Sequence, residues 1–274
     1  MLMSLDSGAS ALEQFQQQLN VIGNNIANVN TVGFKSSDVN FEDTFSQMIG
    51  SNAAGSEQIG TGVNIADINN NFSQGDISAT NVPSNLAVNG TGFFLVKDPT
   101  TGAEYATRDG DFTEDANGYL VTSNGMRLQG YSDAGLSTMG DLKVDNTGAP
   151  GGDTSAVSSY SFNTSGTLSV TLADGTTFTR GQVLLQNFTD PDQLVKAGNN
   201  LFTGLANAGP LAAPVAPSES GPGLITPGSL EMSNVDLATE LTSLITTQRA
   251  YEANSKVITT SDQILQTLVN LKQG

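Results

Sequence analysis

The densest run of side chains able to do chemistry is Asp109-Gly110-Asp111-Phe112-Thr113-Glu114-Asp115-Ala116-Asn117-Gly118. A calcium loop places oxygen ligands at its positions 1, 3 and 5, glycine at 6 and glutamate at 12. Counted from Asp109, position 6 is Glu114; counted from Thr113, Gly118 fits position 6 but position 12 is Asn124. Neither register holds the ion, so the run reads as turn chemistry on a solvated face. Gly90-Thr91-Gly92 resembles the start of a phosphate-cradling loop. It lacks the third glycine and the following helix, and it predicts a tight hairpin turn instead. Asn71, Asn89, Asn163 and Asn187 open glycosylation-type sequons, an expected number in a chain this rich in Asn, Ser and Thr.

Absent residue types narrow the chemistry further. Among 274 residues there is no Cys, no His and no Trp. That excludes disulfides, thiolate nucleophiles, Cys-bearing zinc sites and imidazole bases. Paired carboxylates could serve a glycosidase, but 5 Tyr and no Trp leave few platforms for a sugar. No catalytic, cofactor-binding or metal-ligating residue is therefore assigned, and no enzymatic activity is expected. Ten bases against 27 acids give a net charge of −17. Nucleic acid and anionic membrane surfaces are poor partners for such a chain. No apolar run reaches the ~18 residues of a membrane span, and the N-terminus lacks the basic and apolar regions of a signal peptide.

The elements that would position any site differ between the ends and the middle. From Leu2, apolar residues recur at Leu5, Ala9, Leu12, Leu19, Ile22, Ile26 and Val29. These steps of three and four predict an amphipathic helix. It runs into Asn24-Asn25-Ile26-Ala27-Asn28, where Asn24, Asn25 and Asn28 are read as satisfying the helix end or a neighbouring chain. At the far end Ser233 or Asn234 is read as the cap of a helix carrying Leu237, Leu241, Leu244, Tyr251, Ile258, Leu265 and Val269 at near-heptad spacing. No Gly or Pro interrupts 231–273.

The middle reads as β structure. Val63–Ile68, Leu86–Val88, Phe93–Val96, Tyr119–Thr122, Leu168–Leu172, Thr176–Thr179 and Gln182–Phe188 are strand candidates. Asn117-Gly118, Asn124-Gly125 and Asp174-Gly175 are turn signals between them. Residues 132–160 look loop-like, and five prolines in 207–228 predict an extended connector. The expected class is α+β. Residues 1–32 with 232–274 form an inner helical domain whose helices pair as a coiled coil. Residues 33–131 with 181–231 form a mainly antiparallel domain of short strands, and 132–180 a small β insert or loop region.

At Asn24-Asn25-Ile26-Ala27-Asn28-Val29-Asn30-Thr31-Val32-Gly33-Phe34-Lys35 the chain closely resembles the bacterial flagellar axial proteins, the rod and hook subunits. Ser233-Asn234-Val235-Asp236-Leu237 and Gln248-Arg249-Ala250-Tyr251-Glu252-Ala253-Asn254 resemble that family's C-terminal helix. Gly92-Phe93-Phe94, the stretch from Thr107 to Val121, and Gly198-Asn199-Asn200-Leu201-Phe202 resemble its shared β domain. Thr31–Ser37 and Met126-Arg127-Leu128-Gln129-Gly130-Tyr131 look more like hook protein, whereas the length resembles the distal rod protein. Hook protein is the favoured reading and distal rod the alternative. From another class, the alternative is a secreted acidic β-rich adhesin or carbohydrate-binding protein.

The resemblance implies a structural subunit of the hook–basal body. It would polymerise with itself into a hollow helical tube that transmits torque and passes later subunits. Implied partners are neighbouring axial proteins, the flagellar type III export apparatus and an assembly cap, without cofactor, nucleic acid or membrane insertion. The expected interface residues are Leu5, Leu12, Leu19, Ile22, Asn24, Asn25, Ile26, Asn28, Gly33, Phe34, Leu237, Leu241, Leu244, Tyr251, Ile258 and Leu265, with the two helical stripes packed on each other.

Overall fold

The computed structural model describes residues 2–52, 55–150, 154–211, 213–218 and 221–273. Residues 1 and 274 of the expected helical domain, 151–153 of the insert, and 212 and 219–220 of the proline-rich stretch lie outside the described residues. The chain divides into two compact units. The first comprises Met1–Val29, Ser36–Asn71 and Val235–Gly274, and the second Asn30–Lys35 with Phe72–Asn234. The class is α+β, with a helix at each end and mostly antiparallel strands between them in sequence.

In the first unit, helix α1 spans Leu2–Ala27 and helix α2 spans Leu237–Gln273. Asp236, rather than Ser233 or Asn234, caps α2. Its carboxylate accepts from Ala238 N at 2.9 Å and Thr239 Oγ1 at 3.0 Å. An aspartate there satisfies an orphan N–H and meets the positive end of the helix dipole. Those hydrogen bonds, the one from Ala238 foremost, hold the Asp236 carboxyl below its ordinary range. The helices run antiparallel, with Asn25 beside Glu240 and Gly8 beside Ile258.

An antiparallel arm packs on α1. Strand Ser37–Asp43 pairs with Val63–Asn70, with Val39 opposite Ile68, and Ser46–Asn52 continues the arm opposite Gly55–Gly60. The Phe41 ring stands edge-on to Phe15 of α1 at 5.8 Å. Ser7 Oγ donates to Thr61 O at 3.0 Å, and a Cβ at Gly62 would strike Ser10 Oγ.

The second unit is a β body. Its strand order is Val157–Phe162, Thr167–Leu172, Thr177–Val183, Arg127–Tyr131, Phe93–Lys97, Glu104–Thr107, Leu201–Thr203 and Val195–Gly198. The turns predicted at Asn117-Gly118, Asn124-Gly125 and Asp174-Gly175 join paired strands, with a left-handed glycine at each. One face of this sheet buries Leu86, Phe94, Phe112, Leu120, Leu128, Leu168, Val170 and Leu185, with Phe94 edge-on to Phe112 at 5.3 Å. Each such side chain contributes about 1.5–3 kcal/mol of burial free energy. Phe93, Phe188 and Phe202 form a second cluster with Phe72.

Four local expectations differ from the structure. Gly90-Thr91-Gly92 is not a hairpin turn: Leu86–Asn89 pairs with Leu224–Pro227, while Phe93–Lys97 belongs to the large sheet. The candidate strand 182–188 is divided, because Val183 closes one strand and only Leu185–Gln186 pairs with Phe93-Phe94. The region 132–160 contains the strand Met139–Asp141 and the start of Val157–Phe162. The proline-rich stretch is stitched to the body, with Val215 bridging Leu185 and Pro210 bridging Phe188. Prolines, which lack the N–H donor, still occupy sheet edges where no donor is required.

Candidate functional site

The contact between the helices includes buried polar side chains. Asn25 is 1% exposed; its Nδ2 donates to Glu240 Oε1 and Ser37 O, both at 2.9 Å, and its Oδ1 accepts from Ser37 N at 3.0 Å. Thr247, also buried, donates to Gln18 Oε1 at 3.1 Å. Burial raises the pKa of Glu240; the Asn25 hydrogen bond opposes that and the nearby Asp38 adds to it. At Gly8 the helices close so tightly that a Cβ would stand 3.2 Å from Ile258 Cγ1. Small and polar side chains thus set the spacing of the pair.

The sequence-predicted apolar seam is only partly formed. Ile22 is buried, and Leu5, Leu12, Leu19, Ile26, Leu244, Ile258 and Leu265 are half-buried. Leu237, Leu241 and Tyr251, expected against α1, are exposed, Leu241 by 49%. For the two leucines the reason is angular, whereas Tyr251 lies on the inward face and is 37% exposed. At ~100° per residue, Glu240, Thr247, Ile258 and Ser261 share one face, and Leu237, Leu241 and Ile245 lie on one flank of it. The exposed Val257, Ile264, Leu268 and Leu271 lie on the opposite flank. The helix therefore presents two apolar flanks to solvent, one toward each end.

The asparagines divide between two roles. Asn24 is exposed, and its carbonyl accepts from Asn28 N at 3.1 Å and Asn28 Nδ2 at 2.9 Å, closing the end of α1. Asn25 instead clamps α1 to α2 and the arm.

In the β body, segment Asn30–Lys35 is locked by a buried charge cluster that the sequence reading did not single out. Lys35 Nζ donates to Glu231 Oε1 and to Ser73 O, both at 2.7 Å. Arg108 Nη1 donates to Glu231 Oε2 at 3.2 Å, and its Nη2 to Gly90 O at 2.9 Å. Gly75 N also donates to Glu231 Oε1 at 2.9 Å. Burial lowers the pKa of both Lys35 and Arg108, and the Glu231 carboxylate opposes this in each. Gly33 has φ of +67°, donates its N–H to Glu231 O at 2.8 Å, and a Cβ there would stand 2.6 Å from Asp109 N. Phe34 is buried with the Lys196 ammonium 4.7 Å from its ring centroid, and Lys196 Nζ donates to Lys35 O at 2.8 Å. The one available sequence signal was scarcity: the chain has only ten bases, and Lys35 and Arg108 are two of them.

The Asp109–Gly118 run is built from local turns. Asp115 Oδ1 accepts from Asn117 N at 2.8 Å and Tyr119 N at 2.9 Å. Among the described residues no group of three or more His, Cys, Asp or Glu is placed to hold a metal, and no helix is long and apolar enough to cross a membrane.

Helices from both chain ends, a β body between them in sequence and unpartnered apolar helix flanks define a structural building block. Three family models match: "Flagella basal body rod protein" over residues 5–35, "Flagellar hook protein FlgE/F/G D1 domain" over 87–170, and "Flagellar basal body rod FlgEFG protein C-terminal" over 226–271. The flagellar basal-body rod protein FlgG of Bacillus subtilis is 41% identical over 281 positions, covering 100% of both chains. FlgG of Buchnera aphidicola subsp. Baizongia pistaciae is 37% identical, covering 98% of this chain and 99% of its own. The flagellar hook protein FlgE of Borreliella burgdorferi is 27% identical over a 444-position alignment covering 99% of this chain. The chain belongs to the flagellar basal-body rod and hook protein family, and is a structural flagellar subunit.

Proposed function

We propose that this chain is a distal-rod subunit, which reverses the preference for hook protein drawn from Thr31–Ser37 and Met126–Tyr131. The observation that carries the reading is end-to-end similarity to rod proteins of matching length, at 41% and 37% identity, against 27% to a hook protein whose alignment runs to 444 positions. The described residues of the stretch 132–180 form short strands and turns. No observation favours the adhesin alternative.

On this reading copies polymerise into a hollow helical tube that transmits torque and passes later subunits, with neighbouring axial proteins at its ends, an assembly cap, and the flagellar export apparatus delivering each copy. The helical termini form an inner layer and the β region an outer one. The two opposed flanks of α2 support this: different surfaces joining successive copies make a heterologous contact that propagates rather than closes. Leu237, Leu241 and Tyr251 then act between copies rather than within one. Gold labelling of a tagged copy in purified hook–basal bodies tests the placement. Label along the rod supports the reading, and label confined to the curved hook overturns it.

A further inference from the structure

Phe45 is 91% exposed. It stands between strands Ser37–Asp43 and Ser46–Asn52, yet its backbone is pinned. Phe45 O accepts from Thr61 N at 3.1 Å and Thr61 Oγ1 at 2.7 Å, and Thr44 Oγ1 lies 2.8 Å from Thr61 Oγ1. A bare aromatic ring on a fixed backbone loses little conformational entropy on docking. It also costs solubility unless something covers it.

The β body carries a matching hole. A groove of about 320 Å³ is lined by Leu95, Phe188, Leu205, Pro210 and Pro214, with the exposed Met139 and two polar side chains, Gln186 and Glu104. A cavity of ~150 Å³ suffices for a benzene ring. Lys97 shares the strand face of Leu95 and pairs only loosely with Glu104, at 3.9 Å, its side chain 40% exposed. Glu42 and Asp43, both exposed, directly precede the Phe45 turn. The knob is thus acidic at its base, and a weakly held cation, Lys97, stands beside the hole next to its Glu104 wall.

We propose that Phe45 of one copy seats in this groove on another copy, with Glu42 and Asp43 facing Lys97. This rests on the polymer reading above and adds to it a defined contact between the arm of one copy and the β body of the next. Knob and hole are different surfaces, so the contact extends a chain of copies without closing it.

The absence of cysteine allows a direct test in the full chain. Ser46→Cys, exposed and next to the intact Phe45 ring, with one epitope tag is coexpressed with Met139→Cys carrying another; hook–basal bodies are isolated and treated with a short bismaleimide. A covalent dimer bearing both tags is expected, and none when Asp174→Cys, on an exposed turn, replaces Met139→Cys. Assembled particles containing both tags without the 46–139 product overturn the knob-and-hole contact while leaving the polymer reading intact. Wild-type protein absent from the particles overturns both. Phe45→Ala should lower incorporation about tenfold, as for an aromatic hot spot, with unchanged circular dichroism, and Phe45→Leu should restore much of it. Full incorporation of Phe45→Ala overturns the proposal.

Discussion

Lys35 Nζ lies 2.7 Å from Glu231 Oε1, and neither side chain is exposed at all. In sequence Lys35 follows the end of α1 by eight residues, and Glu231 precedes α2 by six. The pair joins the chain where it enters the β body to the chain where it leaves. A buried pair alone is weak evidence of stability, because desolvation offsets attraction. Here Gly75 N and Arg108 donate further hydrogen bonds to the carboxylate, and Ser73 O accepts one from the ammonium, so both partners are well satisfied.

Glu231→Gln should therefore destabilise the β body strongly. It leaves Lys35 and Arg108 buried without a counter-ion, for about 3–5 kcal/mol. Lys35→Met should cost less, because Arg108 still neutralises the carboxylate. Urea unfolding followed by tyrosine fluorescence measures both through the midpoint at constant slope. Equal losses would contradict the shared role of Arg108.

Gly33→Ala should also act on the β body itself. Left-handed backbone costs a non-glycine residue about 1–3 kcal/mol, and the added methyl meets the Asp109 backbone 2.6 Å away. A lowered urea midpoint in unassembled protein is expected. An unchanged midpoint with failed polymerisation would place the role of Gly33 between copies instead.

Leu241→Asp separates folding from assembly. With the side chain half in solvent, its effect on the single chain should stay within about 0.5 kcal/mol, leaving helicity by circular dichroism unchanged. Polymer should be lost, as read by sedimentation of particles. Gly8→Leu should do the reverse first, forcing α1 from Ile258 and lowering helicity before any assembly.

Asp133 supplies a pH prediction. Hydrogen bonds from Thr138 N, Ser137 Oγ and Ser137 N hold its pKa down to about 2, from 3.8. A depressed folded pKa stabilises the loop above pH 3.8 and loses that contribution as pH falls through 2. A carboxyl ¹³C NMR titration should find the midpoint near 2, and Ser137→Ala should move it upward.

Much of the fold was legible because its signals are local. Helical stripes of three and four, asparagine–glycine turns between short apolar runs, and a helix free of Gly and Pro need only near neighbours in sequence to be read. The motif ending in Gly33-Phe34-Lys35 was legible as a resemblance. The cap of α2 lies two or three residues beyond the expected Ser233 or Asn234, because all three residues can accept a backbone N–H, and only the backbone path selects Asp236.

The sequence by itself determined the composition limits, the two terminal helices, most strands and the family. Tertiary structure alone decided that Lys35 meets Glu231 across 196 positions, that polar Asn25 and Thr247 rather than Leu241 face the partner helix, and that the arm Ser36–Asn71 packs with the helices. The reason is physical. Periodicity shows that a face is apolar but not which neighbour covers it, and a charged residue reads as solvated until the fold brings its counter-ion into the same dry space.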